Sequence, residues 1–411
     1  MKKKYFRYLF RTLLILFICV FVYFVYIIFW LIYFNAEQRK AVENISVDFY
    51  QTIPIIRDPN GYFGVIATVN GQHVDTLLFD TQASTSLAKQ ETLDRYEAEY
   101  WKRKPMPTFN FYKQVYFSKL YKVNDITLGD GKLEGVIFTS VQKDNGMYNA
   151  LYRPVLGRAI MENIGWKFDL DSNEIVMFAP DNEQLLQHES KEFTLAKEGV
   201  NDLQLYSEQT DTLNVMFDLG SNYDIIIDKT VYEKLRKRQT PRMYTNYRRE
   251  GLTDTIAEFH DITVFCNGIA IPDCTLSYIP SIDRNVAGNI FAGKINFILA
   301  NGDLYIKKRT DGALQPIKDG LPSLGLRLNV RNNTICVTAL EINGQAEKAG
   351  LMLGDKVIAV DKEAIESDIM SVSSGRLESY IRQAESLTLE IERNGEKKIF
   401  SVIKRKQNND S

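Results

Sequence analysis

An internal repeat of strand, turn, strand and acid constrains the fold of this chain more than any other feature. In the first half, the β-like run Phe63 to Val69 is followed by Asn70-Gly71 and a second apolar strand ending in Leu77-Leu78-Phe79-Asp80. In the second half, Leu203 to Tyr206 is followed by a polar turn around Glu208 to Asp211 and by Leu213 to Phe217, which ends in Asp218. A small polar stretch and a helix-like segment follow each acid, Thr85 to Leu93 and Asp228 to Leu235. Asp125-Ile126-Thr127-Leu128 lies 45 residues past the first acid, and Asp261-Ile262-Thr263-Val264 lies 43 past the second. Val155-Leu156-Gly157 and Val286-Ala287-Gly288 then each precede an isoleucine, Ile164 or Ile295, by seven residues counted from the glycine. Both segments run on into strand-turn-strand patterns, Trp166 to Phe178 and Phe297 to Ile306. Four elements in one order at near-equal spacing imply two homologous β-rich lobes.

Ahead of the repeat, Leu13 to Phe34 are 22 consecutive apolar residues, enough helix to cross a hydrocarbon core of about 30 Å. The run is too long for a cleavable signal peptide and ends in Trp30, Tyr33 and Phe34 rather than in small residues. Lys2, Lys3, Lys4, Arg7 and Arg11 precede it while only Arg39 and Lys40 follow closely, so the N-terminus is expected in the cytoplasm. The expectation is a single-pass protein held in the cell membrane through residues 12–34, with everything from Asn35 onward periplasmic or extracellular. Residues 1–40 hold seven of the 50 Lys and Arg and one of the 52 Asp and Glu, so the remainder has 43 cations against 51 anions, a formal −8. Without clustered cations it has no electrostatic footprint for nucleic acid.

Other hydrolase chemistries lack their usual supports. His73, His188 and His260 are too scattered for a two-histidine zinc helix, and no G-x-S-x-G elbow seats a serine nucleophile. Cys19 lies in the apolar span, which leaves Cys266, Cys274 and Cys336, and three cannot all pair. If Asn267-Gly268 is a tight turn, Cys266 faces Ile269 across it rather than Cys274. No metal and no cofactor is expected.

An acid at the end of a buried strand, placed equivalently in two lobes, implies that a pseudo-twofold axis brings both carboxyls together. Two adjacent carboxylates cannot both ionise cheaply. One keeps a proton while the other is charged, so the pair can act as general base toward a water and general acid toward a leaving amine. Asp75, Asp169, Asp171 and Asp224 read instead as solvated turn or strand-end acids.

Asp80-Thr81-Gln82-Ala83 and Asp218-Leu219-Gly220-Ser221 resemble the D-T-G-A/S motif of pepsin-like and retropepsin-like aspartic peptidases. The resemblance covers roughly residues 55–308, and the short loops are closer to the retropepsin-like proteins of bacteria than to pepsin. It implies Asp80 and Asp218 as catalytic residues, with Thr81, Ala83, Ser84, Gly220 and Ser221 shaping their loops. Gly157 and Gly288 would lie beneath those loops as the ends of the apolar-apolar-Gly triplets, and the substrate would be an extended polypeptide. Gln82 stands where the family has glycine, and Leu219 where it has a threonine that bonds across to the other lobe. Gln82 is expected to crowd the cleft unless the local dihedrals tolerate it, and Leu219 leaves Thr81 without its symmetric partner. A catalytically inactive, peptide-binding pseudopeptidase is therefore the alternative. Restoring the pattern with Gln82→Gly and Leu219→Thr is expected to raise activity.

From Leu321 onward the pattern changes to short strands, Gly-Asp turns and one helical stretch near Gly375 to Ala384. Ser323-Leu324-Gly325-Leu326, then Gly344 to Leu351 and Gly354-Asp355-Lys356-Val357-Ile358, resemble a bacterial PDZ domain. That resemblance implies a loop at Leu324, Gly325 and Leu326 whose N–H groups hold the C-terminal carboxylate of a peptide. The strand Leu326 to Val330 would accept the peptide along its edge. Polar connectors are expected at Pro180 to Lys191 and Thr310 to Asp319. The expected fold is mainly β, with a transmembrane anchor (1–40), two retropepsin-like β-barrel lobes related by a pseudo-twofold axis (41–182 and 192–310) and an α+β PDZ domain (318–408).

Overall fold

Two Asn-Gly turns show how local sequence starts the hairpins. At 70–71 and 267–268 both residues take positive φ, which Asn and Gly adopt readily and which a tight hairpin turn matched to strand twist requires. The computed structural model describes residues 2–41, 46, 48–57, 61–109, 115–143, 148, 151–197, 203–249, 252–310, 324–331, 334–364 and 384–404.

In the first half, Phe63–Val69 pairs antiparallel with His73–Phe79, which runs parallel to Val155–Leu156. Ser86–Lys89 runs parallel to Gly131–Val141 and antiparallel to Val155–Leu156. Gly131–Val141 pairs with Val115–Leu128, which closes onto Phe63–Val69 and carries the outer strand Glu99–Phe109. The second half repeats each step in the same sense. Leu203–Ser207 pairs with Asp211–Phe217, which runs parallel to Val286–Ala287. Ile225–Ile227 runs parallel to Ile269–Tyr278 and antiparallel to Val286–Ala287. Ile269–Tyr278 pairs with Leu252–Cys266, which touches Leu203–Ser207 and carries Arg242–Arg249.

A third sheet joins the halves in the order Tyr50–Pro54, Glu174–Phe178, Gly165–Asp169, Ile295–Ala300, Asp303–Lys308, Thr194–Lys197. Its centre is the register Phe168 opposite Phe297, whose rings stack at 4.3 Å. Phe79 stands edge-on to Phe168 at 5.3 Å and Phe217 edge-on to Phe297 at 5.4 Å. All four are buried, and such aromatic pairs are worth about 0.5–1.5 kcal/mol each beyond their buried area. The residue before each repeated acid is thus pinned to one ring stack.

Two local expectations change. Thr85 to Leu93 is not one helical segment: Ser86–Lys89 is a strand and only Gln90–Arg95 is helical. The slot between Gly131–Val141 and Val155–Leu156 supplies main-chain partners that outweigh local preference. Pro180 to Lys191 is not merely an exposed connector, because it holds the helix Glu183–Ser190, capped by the Asn182 side chain accepting from Leu185 N at 3.1 Å. Leu185 and Leu186 pack on Val176, Phe178 and Ile298. Beyond Thr310 the second connector lies outside the described residues, and so does the helical stretch near Gly375 up to Ala384.

The C-terminal strands Leu326–Arg331, Thr334–Glu341, Lys356–Val360, Ser386–Arg393 and Glu396–Ile403 enclose their own core around Leu324, Val337, Leu351 and Ile391. Thr334–Glu341 also pairs with Arg242–Arg249, so the second-half sheet continues into them. Arg242 seals that seam with a two-pronged pair to Glu341 at 2.8 and 2.7 Å. Cys266 lies opposite Ile269, and Cys266 and Cys274 are free thiols. At the N-terminus, one helix spans Lys2–Lys40. Among the described residues its Phe10–Lys40 stretch is long and apolar enough to cross a membrane.

Candidate active site

Each repeated acid follows the last residue of its strand and is tied down by the neighbouring short strand. Asp80 N donates to Leu156 O at 3.0 Å and Asp218 N to Ala287 O at 2.8 Å. The loops then turn back in the same way, with Arg158 N donating to Ala83 O at 2.7 Å and Asn289 N to Ser221 O at 2.8 Å. Glycine is required at 157 and 288 by close approach rather than by dihedral angle. A Cβ at 157 would sit 2.4 Å from the Thr85 carbonyl, and one at 288 would sit 2.2 Å from Tyr223 O. Gly220 faces the opposite acid, where a Cβ would lie 2.3 Å from Asp80 Cγ. Ser84 is exposed at the loop edge.

The two carboxyls are close enough that the charge of Asp80 bears on Asp218, and the Asp80 carboxyl lies against Gly220 of the other loop. Asp80 Oδ1 accepts from Gln82 N and Ala83 N, both at 2.8 Å, while Asp218 Oδ1 accepts only from Gly220 N at 2.9 Å. Burial, and then the charge of Asp80, hold the Asp218 carboxyl well above the usual carboxylate range. Asp80 is also raised by burial, but its two backbone donors pull the other way. Donors aimed at a carboxylate favour its charged form, so of the two carboxyls Asp80 is the one biased toward charge.

Beneath the pair, Thr81 Oγ1 donates to Phe217 O at 2.8 Å and accepts from Leu219 N at 3.1 Å. Leu219, at 0% exposure in the apolar core, offers no hydroxyl in return. Gln82 Nε2 donates to the same Phe217 O at 2.9 Å. That side chain adds a second bond from the first-half loop to Phe217 of the second half.

Asp224 is the residue that reading the sequence placed wrongly. It is buried rather than solvated, ion-paired with Lys294, and accepts from Thr275 N at 2.8 Å. Burial raises its pKa against the opposing pull of Lys294. Its backbone O also accepts from Gly288 N at 2.8 Å, the contact that Ser86 Oγ makes to Gly157 N at 3.2 Å in the first half. The following Ile225-Ile226-Ile227, a wholly buried strand, was the available signal. Asp75 is likewise held, by Arg95, by Arg153 at 3.2 Å and by Tyr96 Oη at 2.8 Å.

Leu78, two residues before Asp80, is packed in a buried cluster with Leu151 and Val155, against which Tyr62 and Tyr152 pack. Near Gln82, an open groove of about 650 Å³ is lined by Asn214, Met216, Asp228, Asp283, Arg284 and Asn285. Among the described residues no group of three His, Cys, Asp or Glu is gathered as a metal ion would need.

Leu324 and Leu326 are buried, and Gly325 between them has φ +73°. Gly325 O accepts from Glu341 N at 2.9 Å. Among the described residues Leu326–Arg331 pairs only with Thr334–Glu341, which leaves its other edge open.

No known family model matches the chain, and no curated protein does. Among solved structures the chain is similar to a retropepsin-like aspartic protease from Rickettsia conorii at 18% identity and a TM-score of 0.25, over 31% of this chain and 91% of that one. It is also similar to an aspartic proteinase from Irpex lacteus at 10% identity and a TM-score of 0.43, over 66% of this chain and 100% of that one.

Proposed function

We propose that this chain is a membrane-anchored aspartic peptidase in which two lobes, related by a pseudo-twofold axis, place Asp80 and Asp218 over an extended polypeptide. The observation that carries the reading is that two carboxyls ending equivalent strands on equivalent loops are brought together, with Gly220 of the second loop packed against the Asp80 carboxyl. Asp80, charged, takes a proton from water as the water attacks the scissile carbonyl, and Asp218 supplies the proton that the leaving amine needs. A library of unstructured peptides, incubated with the full-length protein in detergent from acidic to neutral pH, tests this by mass spectrometry of the products. Leu219, which has no hydroxyl to complete the grip, is the observation that favours the second reading, a noncatalytic peptide-binding module.

The anchor is read as uncleaved, with Lys2 to Arg11 cytoplasmic and the lobes in the periplasm or outside a bacterial cell. External protease is then expected to digest the protein in intact spheroplasts. Survival at full length, or release of a mature form lacking the span, contradicts this topology.

Residues 318–408 are proposed as a PDZ-type module that holds a free carboxyl terminus at Leu324, Gly325 and Leu326. The edge of Leu326–Arg331 that no described strand pairs supports it. Amidating the C-terminus of a display-selected peptide is expected to weaken binding by about 10-fold or more, since the loop N–H groups lose a charged acceptor. Equal affinity would favour a module that only packs against the second lobe through Arg242 and Glu341.

A further inference from the structure

The end of the N-terminal helix is seated on the first lobe with no spacer. Phe34 closes the apolar run, yet it is 2% exposed; Gln38, one turn on along the same face, and Ala41, just past the helix, are each 1% exposed. Phe34 packs against Leu120, Ile137 and Trp101. Gln38 Nε2 donates to Ile137 O at 3.3 Å, and Glu134 N donates to Ala41 O at 3.0 Å. The Tyr33 ring stacks on Trp101 at 6.1 Å with an interplanar angle of 8°.

At about 1.5 Å per residue the apolar run is about 33 Å long, which a bilayer core of about 30 Å consumes entirely. The last turn of the span is therefore also the first turn docked on the protein. With the run across a bilayer, Trp101, stacked on Tyr33, would lie at the depth where lipid meets water, the level that Trp and Tyr prefer. A continuous helix with two docked turns cannot let the lobes drift away as a flexible linker would.

We propose that the hairpin Glu99–Phe109 and Val115–Leu128 rests in the lipid interface. We further infer that the substrates are membrane-tethered polypeptides cut close to their anchor. The second half of the proposal rests on the peptidase reading; the first does not. One lobe is about 30 Å across and an extended chain covers about 3.3 Å per residue, which puts the scissile bond within about ten residues of the bilayer.

The test uses the full-length protein in phosphatidylethanolamine/phosphatidylglycerol liposomes. Lipids brominated near the headgroup end of the chain are expected to quench tryptophan fluorescence, and Trp101→Phe is expected to remove part of that quenching. A sequence that the protein cuts in detergent is then fused to a transmembrane anchor through spacers of increasing length. Cleavage is expected to be fastest with short spacers, and about 100-fold slower for the same peptide free in solution. A flexible insertion of about 20 residues between Phe34 and Asn35 should abolish the spacer preference, because such a linker spans a wide range of heights. The same insertion should leave cleavage of the free peptide in detergent unchanged. Equal rates for all spacers and for the free peptide would overturn the substrate assignment, and quenching unaltered by Trp101→Phe would overturn the seat. If no peptide is cut even in detergent, the peptidase reading fails and the quenching still decides whether the hairpin lies in lipid.

Discussion

Asp80→Asn and Asp218→Asn are each expected to lower peptide cleavage by about 1,000-fold or more while leaving the fold intact, because either change removes one partner of the base and acid exchange. The double variant should be no worse than either single one, since the two groups act as a unit. The pH dependence separates the two acids. Activity needs Asp80 charged and Asp218 protonated, so it falls as pH rises through the raised Asp218 pKa and falls again in acid as Asp80 takes up a proton. Stability follows the same sign. A buried carboxyl whose folded pKa lies above its unfolded value contributes stability at low pH and loses it as pH rises through the folded value. Asp218→Asn, neutral at every pH, should therefore unfold at a higher temperature than the wild type on the alkaline side, though it is inactive. Equal cleavage by Asp80→Asn and wild type would remove the two-aspartate mechanism.

Thr81→Val is expected to be the most damaging change outside the pair. It deletes the donor to Phe217 O and the acceptor for Leu219 N at a buried site, which costs about 2–4 kcal/mol of stability. A shift of about 1 Å between the carboxyls would cost about 100-fold in kcat. Gln82→Gly should also lower activity, by less, because it removes the second donor to the same carbonyl. This reverses the outcome that the family pattern alone implies. Leu219→Thr alone tests the missing half of the grip, and a gain in kcat without a change in KM would mark improved positioning. Thermal unfolding and steady-state kinetics on the full-length variants read both effects. If Thr81→Val matches the wild type in both, the cross-lobe bonds do not set the carboxyl spacing.

By itself the sequence determined the elements whose cause is local. Alternating apolar strands, Asn-Gly turns with positive φ, and a 22-residue apolar run each state their conformation within a few residues. The repeat set Asp80 and Asp218 at equivalent points because both halves spell the same strand, turn, strand and acid. Tertiary structure alone decided what depends on partners far along the chain. Ser86–Lys89 became a strand because two distant strands offered it main-chain partners. Asp224 became a buried ion pair because Lys294, 70 residues away, folds onto it, and Gln82 became a cross-lobe donor because Phe217 lies opposite. The seating of Phe34 on Leu120 and Ile137 was equally invisible, since an apolar residue at the end of a span looks the same whether lipid or protein covers it. Local pattern records which groups a segment prefers to bury, but a hydrogen bond or an ion pair exists only where the folded chain has brought its second partner.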